Sequence, residues 1–238
     1  LDNGNREGDS LFRRLTEEII AKLKADTHGR VRLPTERDLA RQLRVQRHTL
    51  RERLAALESL GLIQRVQGSG TYLVLPQSQF VQMYFEVALK LGYISVEELM
   101  RAQEMIEREI AYSAALHAST DEVDAMNRYL ERTRSAEGEG VVDAHHGFHT
   151  ALARASHNAV IVLLVDGLAS VLRHVLERRV ENVRQVPGAE ERVRETYGAI
   201  LSAIRYRDPE EARMAMDEHF RVWRRESAKV TTLHLDEG

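Results

Sequence analysis

Leu33-Pro34-Thr35-Glu36-Arg37-Asp38-Leu39-Ala40 opens a run of local signals, ending at Tyr72, that leaves little choice of fold. Pro34 stops whatever precedes it, and Thr35 has the side chain to cap a helix starting at Glu36. Leu39 and Leu43 share one face of that helix. Arg44-Val45-Gln46 is a break, and a second helix follows from about Arg47 to Leu60, with Leu50, Leu54 and Leu57 as its buried stripe. Gly61 suits the end of that helix. Leu62–Val66 and Thr71–Val74 are β-type runs joined by Gly68-Ser69-Gly70, the pattern of a hairpin with a glycine turn. Two short helices, a tight turn and a closing hairpin make a winged helix-turn-helix.

The charges of this unit suit DNA. Arg47 and Arg51 lie four apart on the second helix, with His48 and Thr49 beside them. A helix entering the major groove by its first turn brings such guanidinium groups to guanine acceptors or to phosphates. From Arg30 to Arg65 there are nine arginines and four acids, a net charge of +5, whereas the whole chain carries −3. A cationic patch on an otherwise acidic protein is the footprint of a nucleic-acid reader; the alternative is a solvated amphipathic helix pair.

These motifs, together with Val45-Gln46-Arg47-His48-Thr49-Leu50-Arg51-Glu52 and Gly61-Leu62-Ile63, resemble the N-terminal domain of the GntR family of bacterial transcription regulators. The resemblance implies that Arg37, Arg47 and Arg51 contact double-stranded operator DNA and that the wing tip at Gln67 and Gly68 enters the minor groove. Gln46 stands where Ser or Thr is usual, and Arg53 where Ala is usual, which bears on the operator sequence.

At 238 residues the chain has room for a second domain. It has no cysteine, so disulfides and thiolate metal sites are excluded. No apolar run approaches the roughly 20 residues of a membrane helix, and Leu1–Gly8 has no signal-peptide pattern, so a cytoplasmic protein is expected. Ser10 is placed to cap a helix over Leu11–Lys24, and the first domain is read as residues 10–75, with a linker at 76–79 led by Pro76. Residues 80–230 read as about seven helices with short connections, an antiparallel bundle. Ser95-Val96-Glu97-Glu98 and Ser119-Thr120-Asp121-Glu122 are capping boxes; Asp208-Pro209 opens the last helix, and one long helix is expected over Ala159–Gln185. The expected fold class is therefore mostly α.

Glu107 with Ala114-Ala115, then Phe148-His149-Thr150-Ala151-Leu152-Ala153, Asn158, Ala203–Asp208, Ala212 and His219 resemble the FCD-type effector domain of the FadR-like branch of that family. Many members of the branch hold a divalent metal through an Asp, a His four residues on, and two further His from the last two helices. By spacing these positions fall on His145, His149, Tyr197 and His219, with His in place of Asp and Tyr in place of His. Three neutral imidazoles bind zinc or nickel, and a carboxylate effector would complete the shell. The alternative is a set of hydrogen-bonded bundle histidines with an effector held by arginine alone. Asp143 and His146 offer a shifted ligand pair, and Arg173, His174 and Arg178 are candidate carboxylate contacts, each of which also reads as part of a solvated face.

The function expected is a ligand-responsive regulator, a homodimer that reads two-fold-related DNA and binds a small organic acid in its helical domain. The competing readings are an architectural DNA binder without effector and a metal-dependent hydrolase. The hydrolase would need a carboxylate base aligned with the three histidines, and no obvious one is aligned with them in the sequence.

Overall fold

A computed structural model of the chain describes residues 13, 14, 17, 30–74, 78–136 and 138–233, and the helix expected over Leu11–Lys24 falls almost wholly outside them. The described residues form ten helices and a three-stranded sheet, so the chain is mostly helical, with the strands confined to the N-terminal wing. It divides into two compact units, Leu1–Phe80 and Val81–Gly238.

The first unit is built as its local signals dictate. Helix α1 (Glu36–Gln42) starts at the expected cap, where Thr35 Oγ1 accepts from the Asp38 N–H at 3.2 Å. Arg44 takes a φ of 51°, turning the chain into α2 (Arg47–Ser59). That helix ends in a paired bond set, Gly61 N–H to Glu58 O and Leu62 N–H to Leu57 O, both 2.9 Å. Gly61 sits at φ +72°, a conformation a side chain would strain. Strands β2 (Ile63–Val66) and β3 (Gly70–Leu73) form the hairpin. A further strand, β1 (Val31–Arg32), pairs antiparallel with β3, giving the order β1-β3-β2. Two residues carry no periodicity, so β1 exists only through its partner. Leu33, Leu39, Leu43, Leu50, Leu54 and Ile63 form the core, with Leu57 at its edge.

The second unit holds eight helices, α3 (Ser78–Lys90), α4 (Val96–His117), α5 (Thr120–Ser135), α6 (Glu139–Ala155), α7 (Ala159–Val171), α8 (Arg173–Arg184), α9 (Ala189–Arg205) and α10 (Pro209–Leu233). Ser78 and Gln79, read from sequence as linker, make the first turn of α3. Both capping boxes form: the Ser95 and Ser119 N–H groups each donate to a glutamate three residues on at 2.8 Å, and the serine side chains return the bond. Asn158 and Asp208 cap α7 and α10.

The single helix expected over Ala159–Gln185 is two. The chain bends by 64° around Leu172 with neither proline nor glycine at the break. Packing accounts for the bend. Leu168 and Leu172 join Leu99 in a satellite cluster, while Val165 before the bend and Val180 and Val183 after it reach the main core. That core gathers Ile110, Ala114, Met126, Phe148, Leu152, Tyr197, Ile200 and Met216. No single helix among the described residues is long and apolar enough to cross a membrane.

Gly147 is a packing glycine in α6. A Cβ built there would lie 2.2 Å from the Tyr129 ring. Gly147→Ala should therefore destabilise the fold by about 1–3 kcal/mol, because a planar ring must be displaced. Chemical denaturation reads this, and an unchanged midpoint would show that Tyr129 has free room to move.

Candidate functional site

In the first unit, Gln46, Arg47, His48 and Arg51 are exposed at and after the start of α2, with Thr49 half-buried. Gln46 makes no side-chain cap, and the first turn of α2 carries no acid. The helix therefore presents uncapped N–H groups and its positive dipole end beside Arg47, an arrangement suited to phosphate. Arg51 is held across the helix pair: its Nε and Nη2 donate to Glu36 Oε2 at 3.2 and 3.1 Å. Arg37 is exposed on α1. Gln67 and Gly68 form the exposed wing tip, Gly68 with φ +74°. Arg32 Nη2 donates to Ser69 O at 2.6 Å and fixes the turn.

In the second unit, α6, α8, α9 and α10 wall a cavity of about 310 Å³, with Met100 and Gln103 of α4 also on its lining. His145 and His149, one turn apart, both face α9, where Tyr197 lies almost wholly buried. The Tyr197 hydroxyl lies 2.9 Å from His145 Nδ1 and 3.1 Å from His149 Nε2. His149 Nδ1 bonds the buried Glu107, which also accepts from Gln103 at 2.7 Å. A carboxylate only accepts, so His149 carries its hydrogen on Nδ1, and in the neutral ring Nε2 receives the Tyr197 O–H. Tyr197 oxygen then accepts from His145 Nδ1–H. His219 Nδ1 lies 2.8 Å from Thr196 Oγ1, whose own hydroxyl donates to Val193 O at 2.6 Å. His219 is thereby the donor, which leaves its Nε2 as an acceptor.

Burial sets the charge states. It is the main cause that lowers His145 from 6.5 to about 3 and takes His219 well below its ordinary value. It raises the Tyr197 phenol well above 10, so the hydroxyl keeps its proton.

Arg179 of α8 is the cation of the cavity wall. Burial pulls its pKa down. Its directed contact among the described residues is Met100 Sδ at 3.9 Å, and no carboxylate lies within ion-pair distance. The nearby Glu104 is taken by Arg224.

Comparison with known proteins assigns both units. The sequence profile of the FCD domain matches residues 98–222, and that of bacterial regulatory proteins of the gntR family matches residues 9–73. The chain belongs to the GntR family and carries an FCD domain.

This GntR regulator is 29% identical over 218 residues to an Escherichia coli protein named for regulation of the L-lactate dehydrogenase operon, covering 88% of this chain and 84% of the relative. It is 27% identical over 191 residues to the HTH-type transcriptional regulator LutR of Bacillus subtilis, covering 79% and 87%. Among solved structures, Streptococcus agalactiae GntR has the same fold, with a TM-score of 0.67 at 23% identity, covering 92% of this chain and 98% of that one. The domains and relatives are those of transcription regulators, not enzymes.

The structure of this GntR regulator gathers some of the residues singled out by sequence and separates others. His149, His219, Tyr197 and Arg173 line the cavity, whereas His145 lies behind Tyr197 and does not. His145 Nδ1, both nitrogens of His149 and His219 Nδ1 meet Tyr197, Glu107 and Thr196, and no group of three or more His, Asp or Glu among the described residues is placed to hold a metal ion. His174 is a correction: its side chain is 87% exposed and bonds Glu177, because it sits one position around α8 from the cavity-facing residues. Of the shifted pair, His146 lines the cavity, but Asp143 is bound to Arg173 at 2.9 Å. Arg178 does not line the cavity; its neighbour Arg179 does. Sequence reasoning passed over Arg179 because adjacent arginines on a helix look alike until its rotation is known.

Proposed function

We propose that this chain is a ligand-responsive transcription regulator of the FadR-like branch, a cytoplasmic homodimer whose two heads read double-stranded operator DNA and whose helical domain binds a small organic acid. The domains are residues 10–75 and 80–230, and the DNA-contacting set is Arg37, Gln46, Arg47, His48, Thr49, Arg51, Gln67 and Gly68. The observation that carries the effector reading is the half-buried Arg179 guanidinium, with no carboxylate within ion-pair distance among the described residues, on the wall of a cavity of about 310 Å³. A cation drawn partly out of water without an anion loses hydration, and a ligand carboxylate offsets that loss. The volume lies at the small end of ligand pockets, and L-lactate, a small hydroxy acid, figures in the name of one relative.

Acid binding shifts the equilibrium between arrangements of the two heads, and acid and DNA change each other's affinity by the same factor. Gel shifts with upstream DNA and a carboxylate panel test this. Loss or gain of the shifted band with one acid is expected, and indifference to every acid would favour an architectural role. Arg51→Ala should weaken specific binding by about 1–3 kcal/mol and relax one base position. Unchanged affinity and preference in the same assay would remove Arg51 from the reading set.

A further inference from the structure

We propose that in this chain the Tyr197 hydroxyl takes the place of the metal ion of its branch, and that the pocket holds a small carboxylate directly. The charge rests on Arg179, and the hydrogen-bonding capacity left open beside it is that of two acceptors, His219 Nε2 and the Tyr197 oxygen. The inference deepens the effector reading above and rests on it.

Three observations carry it. The first is geometry. Zinc needs several donor atoms with lone pairs converging at about 2.0–2.2 Å on one point. Here the Tyr197 oxygen occupies the space between two imidazole nitrogens, at 2.9 and 3.1 Å, with His145 on the far side of it from the cavity. The bonds form a polarised chain from His145 through Tyr197 and His149 to Glu107, and every member has a partner. A fully satisfied buried set of this kind is rigid.

The second is charge. The fields of Arg184 and Arg194 reach His145, and that of Arg179 reaches His219. The buried Glu107 carboxylate of this set is already engaged by His149 and Gln103, so the charge left open at the cavity wall is the Arg179 cation, which attracts a carboxylate.

The third is the difference between the two pocket arginines. Arg173 is engaged by Asp143 at 2.9 Å and Glu177 at 3.2 Å. Arg179 has Met100 Sδ as its one directed contact among the described residues. The fork of Arg179 is therefore the one available for bidentate contact with a carboxylate. The acceptor nitrogen of His219 and the Tyr197 oxygen then suit a ligand that also brings a hydroxyl group, a small hydroxycarboxylate.

The test uses the full chain. Zinc is titrated in competition with a chromophoric chelator into wild type and into Tyr197→His, which rebuilds a fourth imidazole. Wild type is expected to take up no stoichiometric zinc, and Tyr197→His to gain a site at least about tenfold tighter. Stoichiometric zinc in wild type, lost in His219→Ala, would overturn the proposal even if Tyr197→His failed to fold. In parallel, acetate, glycolate, L-lactate and malonate are titrated calorimetrically into the chain with EDTA and, separately, with zinc. Binding in EDTA, weakened at least about tenfold by Arg179→Ala and partly restored in Arg179→Lys, is expected. Binding that appears only with zinc would sink this inference and spare the effector reading. Binding of none of the four in either condition would sink both.

Discussion

Between pH 6.5 and about pH 5 this regulator is expected to lose about 1.5 kcal/mol of folding stability through His145 alone, with His219 adding to the loss in the same direction. Two imidazoles cause it. Burial holds His145 near 3, and His219 also lies well below the usual 6.5. As the pH falls through 6.5 the unfolded chain takes up both protons while the folded chain takes up neither. Stability is therefore fully present above 6.5 and declines by about 1.4 kcal/mol per pH unit for each ring. The decline continues until the folded rings titrate, near 3 for His145. Against a typical total of about 5–15 kcal/mol this is a large share. Glu226 acts in a separate, lower window. Bonds from Arg192, Lys229 and Arg225 depress its carboxyl from 4.5 to about 2, so its contribution is intact above 4.5 and lost only as the pH falls toward 2. Urea denaturation at pH values from about 7 to 5 separates the two effects. A midpoint that stays level over that range would show that His145 and His219 are not buried as neutral rings.

Raising salt from about 50 mM to about 200 mM should lower operator affinity by roughly three orders of magnitude, the range for about six or more neutralised phosphates. Each head of the proposed dimer exposes Arg37, Arg41, Arg44, Arg47, Arg51 and Arg53. Some of that charge is compensated within the head: Arg51 lies 3.1 Å from Glu36, and Arg41 3.3 Å from Asp38. Glu36→Gln removes one anion from the patch and should steepen the salt slope and raise affinity for unrelated DNA. Fluorescence anisotropy over a salt series reads both. A flat dependence would show that the cationic head does not meet phosphate.

The elements that the sequence announces are those set by neighbours in the chain. Thr35, Ser95, Ser119 and Asp208 bond N–H groups two or three residues on, so their caps are legible without any tertiary information. Gly61 ends α2 for a reason equally local, its positive φ. The bend at Leu172 is different. Ala159–Arg184 holds no proline and its glycine, Gly167, lies within the first half, and the turn lets Val165 on one side and Val180 and Val183 on the other reach the main core while Leu168 and Leu172 pack on Leu99. Strand β1 likewise depends on Tyr72 and Leu73, some forty residues away.

The site divides in the same way. Spacing alone brings His145 and His149 to one face, because a helical turn repeats every 3.6 residues, whereas Tyr197 and His219 are named as their company only by the family resemblance. Which atom of each meets which was decided by packing. The depth of Tyr197 sets its hydroxyl between the rings, Thr196 takes the hydrogen of His219, and the rotation of α8 sends Arg179 to the cavity and His174 to solvent. Composition and local bonding determined a DNA-reading head on a helical body. Only the tertiary structure decided the chemistry of its pocket, since side-chain orientation within a core depends on contacts that lie far apart in the chain.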